Sequence, residues 1–409
     1  MYRFAPTCTA LYKQMSTAPA YLDATIYPSK SLIMYFTRLF IMTLIFFAGI
    51  TDTFAKPAGA DSIAFTDPAW KFQAKEAQIV SYKGREALRL ENGQAFLEDS
   101  DFLNGVIEYD VYMEGQRGFP GVIFRIQDSA NYEEFYVRPH QSGNPDACQY
   151  TPVFNDNPAW QLYHGEEFGK AYTYPVNSWM HVKIIVSGTQ AEVYLDGETE
   201  PFFVIPRLLH RQQPGGIGLS SAITASHFSN FNYRSNSRQQ LSHPVAWAPK
   251  ALGDNLVEEW SISAAFPAGR LDSITSLQEK DVPQSGWEPL EIEPGGFINI
   301  SSIRSLEPQG DNTVFARIVV EAKDEALQPL EFGYSDRVRV YCNGRLLYQG
   351  DNTYRSRDYR YLGTIGLFDR VYLPLRKGPN MVLIAVSEAF GGWGLVGRFP
   401  ESTDLTVIK

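Results

Sequence analysis

Cysteine is scarce in this chain. Only Cys8, Cys148 and Cys342 occur in 409 residues. No CxxC pair and no Cys/His spacing is present, which excludes the common zinc motifs and a disulfide framework. A single bridge between Cys148 and Cys342 stays open. Clusters of Lys and Arg are also missing, and the net charge is −10, so a nucleic-acid partner is not expected. No GxSxG motif marks a nucleophile elbow. No segment shows a long, capped helical period, and no internal repeat or low-complexity block stands out. What the chain does have is aromatic residues, at 14%, with 32 Gly and 25 Pro. That mixture fits a soluble protein of strands and turns, long enough for two domains with sizeable cores.

The longest apolar run is Leu39–Ile50, preceded by Arg38 and followed by small residues at Ala55 and Ala58–Ala60. It is shorter than the roughly 20 residues of a membrane span and has the layout of a secretory signal peptide. Met34 lies at a normal starting distance. Residues 1–33 therefore read as an over-extended start and 34–55 as the signal, an uncleaved anchor being the other reading. No Cys follows the run, so a lipoprotein anchor is not indicated. Without residues 1–55 the charge becomes −12, which also disfavours an anionic lipid surface. The expected location is secreted or periplasmic.

Alternation of apolar and polar residues recurs along the rest of the chain, as in half-buried strands. In Gly105–Met113, Ile107, Tyr109, Val111 and Met113 oppose Glu108, Asp110 and Tyr112. In Gly121–Gln127, Val122, Phe124 and Ile126 oppose Arg125 and Gln127. In Tyr132–Arg138, Glu133, Phe135 and Val137 oppose Glu134, Tyr136 and Arg138. Asp128–Asn131 is turn chemistry between the last two. Short connections make these three strands an antiparallel meander with one shared polar face. Trp179–Val186 and Gln190–Leu195 form another pair, and Asp196-Gly197 signals a hairpin. The expectation is an all-β antiparallel sandwich over 61–235. A turn-rich linker over 236–256 and a second C-terminal β-sandwich over 257–409 follow.

Residues Phe124–Arg138, Trp179–Gly197, Gly215–Leu219 and Phe228–Phe231 resemble the concanavalin A-like lectin/glucanase sandwiches. Their laminin G-like branch and the domain named for 3-keto-disaccharide hydrolases share this order of elements. The second half resembles the galactose-binding-like jelly rolls. There the likeness rests on Gly333–Gly344, Tyr372–Val386 and Gly391–Gly394. The resemblance implies fold more than activity, because this architecture hosts lectins, adhesion modules, hydrolases and lyases.

The polar face is the first candidate site. Tyr112, Arg125, Gln127, Glu134, Tyr136 and Arg138, with His140 just beyond, offer the donors and acceptors that sugar hydroxyls need. The bland alternative is a wet face laced with ion pairs of small value. Glycoside hydrolysis would use Glu108 and Asp110 as a carboxyl pair. Glu114 falls in the following turn, so the spacing departs from the laminarinase-type pattern. His164 or His140 would be a general base; His181 reads as structural. The second candidate is the loop Pro139–His164, unusually long, with Trp160 and Tyr163 as a stacking platform. The aromatics plugging the sandwich end is the competing reading. No cofactor is required by any motif; a calcium ion on Asp146 and Asp156 would lack EF-hand spacing. In the second half, Tyr334, Asp336, Arg337, Asn352, Tyr354, Arg355, Arg357, Asp358 and Trp393 cluster by sequence, read chiefly as hairpin loops and an interdomain surface. Glycan binding outside the cytoplasm is the leading expectation. A saccharide hydrolase or lyase and a non-catalytic adhesion scaffold are the alternatives.

Overall fold

A long hairpin, β1 (Trp70–Tyr82) and β2 (Arg85–Leu97), sets up the first sandwich. The computed structural model describes residues 62–307, 310, 312–358, 362–400 and 405–408. The start and signal segments at 1–33 and 34–55 lie outside them. Among the described residues there is no α-helix, and none long and apolar enough to cross a membrane.

Ten further strands complete this unit: β3 (Gly105–Met113), β4 (Phe119–Asp128), β5 (Asn131–Val137), β6 (Cys148–Phe154), β7 (Asn157–Pro158), β8 (Ser178–Ser187), β9 (Gln190–Leu195), β10 (Phe203–Ile205), β11 (Gly216–Ala222) and β12 (Ser226–Ser235). They follow one antiparallel path, β10-β9-β8-β3-β12-β2-β11-β4-β5-β6-β7. Strand β2 lies in the middle of that path. Its first half pairs with β12 and its second half with β11, so it passes from one layer into the other. The bend comes at Gly93, where a Cβ would sit 2.2 Å from the Gln73 carbonyl oxygen. No side chain fits there. Between the layers, Ile107, Tyr109 and Val111 of β3 meet Val122, Phe124, Phe135 and Tyr150 of the opposite layer in one core.

This path overturns the meander. β3 pairs with β8 and β12, whereas β4 pairs with β11 and β5. The connection after β3 crosses the sandwich end instead of turning back beside it. Glu108, Asp110 and Tyr112 therefore face away from Glu134 and Tyr136, on the opposite outer side of the sandwich. A second departure is Arg125. The β4–β5 register slips between Phe124 and Asp128, and Arg125 takes φ 52°. The bulge turns its side chain inward. Arg125 is buried and donates to the carbonyls of Leu103 (3.0 and 2.8 Å) and Gly188 (2.6 Å). The loop Pro139–His164 is not one loop either, since it contains β6 and β7.

The second sandwich is built from β13 (Glu259–Ile262), β14 (Glu288–Glu291), β15 (Ile298–Asn299), β16 (Thr313–Ala322), β17 (Ala326–Ser335), β18 (Arg337–Cys342), β19 (Arg345–Asp351), β20 (Asp369–Leu375), β21 (Gly378–Ser387), β22 (Gly394–Arg398) and β23 (Leu405–Ile408). One sheet runs β14-β13-β16-β21-β18-β19, with β23 also on β16; the other runs β15-β22-β17-β20. Trp260, Trp393, Phe332 and Tyr334 fill the space between them. Tyr334 and Trp393 of the sequence cluster are thus core, not surface. Cys148 and Cys342 are free and buried in different cores, with burial pushing their thiols up to about 12 and about 11.

The chain between the sandwiches is tied down. Its residues Gln239 and Val245 bond Ser187 (2.7 Å) and Gln190 (2.6 Å). A larger contact comes from the segment after β7. Ala159, Leu162 and Tyr163 pack with Phe297, Ile365 and Val396 of the second sandwich. Buried Gln161 donates its side-chain amide to Leu362 O (2.8 Å) and its backbone N–H to Gly391 O (2.8 Å).

Removing the Arg125 guanidinium would leave buried carbonyls unpaired and take a nearby positive charge from buried Glu133. Arg125→Ala should lower stability by roughly 2–4 kcal/mol. Urea unfolding at pH 7 measures this, and a loss under about 1 kcal/mol would contradict the structural role.

Candidate functional site

The sequence-predicted residues fall on two outer faces with different electrostatics. On the β3 layer the polar groups satisfy one another. Asp110 accepts from His181 Nδ1 (2.7 Å) and Asn230 Nδ2 (2.6 Å), and is paired with Arg85. His181 Nε2 lies 3.7 Å from Glu108, and Arg234 lies 3.8 Å from the same carboxylate. The hydrogen bond from His181 to Asp110, with the Glu108 carboxylate close by, raises the imidazole to about 9, despite partial burial. Glu108 is held below its ordinary range, chiefly by His181. Burial of Asp110 works the other way but is outweighed by His181 and Asn230, so its carboxyl is also lowered.

The neighbouring aromatics are occupied as well. Tyr82 stacks on His227 at 3.6 Å, and Tyr112 meets Tyr82 and Trp179 edgewise at 5.2 and 5.3 Å. The Tyr112 hydroxyl donates to Asn177 O at 2.7 Å, Arg85 lies over Trp179 at 5.0 Å, and Tyr82 donates to Glu114. His181, read as structural from its strand position, is the centre of this network. The network's other members, Arg85, Asn230, Trp179 and Tyr82, lie outside the residues that the sequence pattern points to. The alternation Trp179, His181, Lys183 against Met180, Val182, Ile184 carried the signal. What could not be read was that β8 lies beside β3, pairing Asp110 with His181 and Tyr112 with Trp179.

The β5 layer presents the other face. Glu134, Tyr136 and the next residue out, Arg138, share it with Gln149 and Thr151 of β6 and Ser220 of β11. The Tyr136 hydroxyl donates to Gln149 Oε1 (3.0 Å) and accepts from Arg138 Nη2 (2.9 Å). Arg138 also donates to Gln149 Oε1 and to Asp146 O (2.7 Å). Phe119 borders them, with Arg138 5.8 Å over its ring and His140 at 5.5 Å. Two groups here are left under-engaged. Glu134 accepts one hydrogen bond, from Ser220 Oγ at 2.6 Å, and has no ion pair among the described residues. Burial pushes its carboxyl up to about 7. His140 Nδ1 has no partner among the described residues.

The segment after β6 borders this face. Gln149 Nε2 donates to the carbonyls of Trp160 (3.0 Å) and Tyr163 (2.5 Å). Trp160 is half-buried beside Tyr354 and Phe390 of the second sandwich. Tyr163, expected as a platform, is instead buried at the sandwich contact, donating to Glu293 at 2.7 Å. His164 meets Ile365 O at 3.2 Å in the same contact, on the other layer from Glu108 and Asp110, so the three do not form one site. Gln127 lies exposed at the sandwich rim, bonded to Arg125 O and Pro214 O. Asp146 and Asp156 flank the extended strand β6, roughly 20 Å of chain, and cannot share one ion. Among the described residues no group of three or more His, Cys, Asp or Glu is placed to hold a metal.

No protein-family model and no curated protein sequence matches the chain. Solved structures do. A carbohydrate-binding module from Bacillus subtilis is 17% identical, covering 41% of this chain and 96% of its own, with a TM-score of 0.32. A beta-glucanase from Bacillus licheniformis is 12% identical, over 42% of this chain and 94% of its own, with a TM-score of 0.31. Chicken galectin 2 is 12% identical, over 33% and 93%, with a TM-score of 0.26. Likenesses of this size carry no argument about what the chain binds.

The His181 network has a pH signature. Its folded value lies above the ordinary 6.5, so its contribution is complete below about pH 6.5 and lost as pH rises through about 9. Melting temperature should therefore fall across that window, and His181→Gln should flatten this part of the profile. An unchanged slope in the variant would mean that His181 is not the titrating group.

Proposed function

We propose that the chain binds saccharide on the β5-layer face, over Glu134, Tyr136, Arg138 and Gln149, with Phe119, His140 and Trp160 at its border. The observation that carries this reading is the contrast between the two faces. Charges on the β3 layer neutralise one another, leaving little for a ligand to gain. On the β5 layer a fixed Tyr136–Arg138–Gln149 network lies beside a carboxyl without a cation and an imidazole nitrogen without a partner. Buried polar groups are ordinarily satisfied, and a ligand rich in hydroxyls would complete these. The face also adjoins the contact between two sandwiches, a common place for ligand sites. The resemblance of residues 61–235 to lectin-like sandwiches points the same way. Export outside the cytoplasm accompanies this reading, through the signal-like run Leu39–Ile50.

A hydrolase or lyase is the second reading, and one observation moves it. Glu108 and Asp110 are both held ionised around His181, so neither carboxyl of that pair is the protonated acid that a two-carboxyl mechanism needs. Glu134 is the carboxyl on the proposed face whose proton is exchangeable near neutrality. An enzyme would use Glu134, not the β3 pair.

A glycan array followed by calorimetry tests both. Glu134→Gln and His140→Ala should each weaken the saccharide bound by wild type, by roughly tenfold for Glu134. His181→Gln, on the opposite face, should leave affinity unchanged. Silence across the array, or loss only with His181→Gln, would overturn the binding site. Cleavage of the bound saccharide that Glu134→Gln abolishes while binding persists would establish the enzyme reading.

A further inference from the structure

An aromatic cluster next to the β5-layer face is made by both sandwiches, joined to that face through the Trp160 carbonyl on Gln149. Trp160 comes from the first. Its ring lies 5.8 Å from Phe390 and 6.2 Å from Tyr354, both on loops of the second. The loop bearing Phe390 is held firmly from within. Asp336, buried at the end of β17, accepts from the backbone N–H groups of Ala389 (2.9 Å) and Phe390 (3.1 Å). Buried Glu388 accepts from Gly392 N (3.0 Å). Gly391 between them takes the backbone N–H of Gln161 on its carbonyl. A Cβ at Gly391 would lie 2.3 Å from Gln161 Oε1, so the two loops interlock only with glycine there.

A ring that merely plugged the contact would be covered. Phe390 remains 45% exposed although its backbone is fixed by these bonds. A rigid, exposed aromatic beside a half-buried Trp and Tyr is a ready surface for the C–H face of a sugar. It adjoins the polar floor through one residue, since Gln149 holds Arg138 and Tyr136 on one side and the Trp160 carbonyl on the other.

We propose that Trp160, Tyr354 and Phe390 form a second sugar subsite, and that the ligand is therefore an oligosaccharide of two or more units spanning both sandwiches. This rests on the saccharide reading of the β5-layer face. The first unit lies over the polar floor and the next stacks on the aromatic trio. Asp336 and Glu388 act as positioning residues, presenting Phe390 without touching the sugar. The second sandwich thereby sets chain-length preference.

The probe is an array of immobilised glucans, galactans, fructans and uronans in lengths of one to six units. Wild type should bind chains of two or more units better than the single sugar of the same series. In Phe390→Ala, and in Tyr354→Ala, that gain should fall by roughly tenfold. Val176→Ala, at an exposed position of the first sandwich, should keep it. A length preference that survives both aromatic substitutions, or wild-type binding that is flat with length, would overturn the subsite while leaving the saccharide reading intact. No binding at any length would overturn both. Melting temperatures of the variants, expected within a few degrees of wild type, separate loss of the subsite from loss of the fold.

Discussion

One strand shared by two layers governs the first half of this molecule. β2 must leave one sheet and enter the other, and it does so where Gly93 lets two backbones approach more closely than any side chain would allow. Because of that passage, β3 and β5 end in different layers. Polar residues that lie only some twenty-five positions apart in the chain then look out on opposite sides of the sandwich. This division decides which side chains can act together.

The two faces differ in how their charges are met. Around His181, Asp110 is met by Arg85 and His181 and Glu108 by His181 and Arg234, and four strands are cross-linked as a result. Such a network holds the layer together and leaves few groups for a ligand. Around Glu134 the charge is not matched, and burial keeps its carboxyl near the point of ionisation. Among the described residues Arg138 meets neutral acceptors alone, so its positive charge is held in place without an ion pair there. The stretch from Phe119 to His164 thus supplies the polar floor of the β5 layer, and its tail supplies the bolt between the sandwiches. Tyr163 and Gln161 are committed to that bolt, which is why Trp160 alone of the loop's expected platform stays partly open.

Much of the architecture was legible in the chain. Period-two alternation in Gly105–Met113 and Tyr132–Arg138 placed the core-facing residues correctly, because burial demands it locally. The adjacency of Glu133 and Glu134 put one on each side of a strand, and the structure has Glu133 in the core and Glu134 outside. Arg125 escaped this reading because a single bulge reverses the sense of a side chain, and no residue type announces it. His181 escaped because its meaning depends on a strand some seventy residues away. The strand Cys148–Phe154 hides within a loop-like sequence because apolar and polar residues on it are buried on both faces, which blurs the alternation.

By itself the sequence determined that this is an all-β chain with two apolar cores, since those properties arise from neighbours along the backbone. Only the tertiary structure decided which carboxylates share a face, which are neutralised and which remain open. Those outcomes depend on strand order and on the contact between sandwiches, and both are set by packing between residues that are remote in the chain.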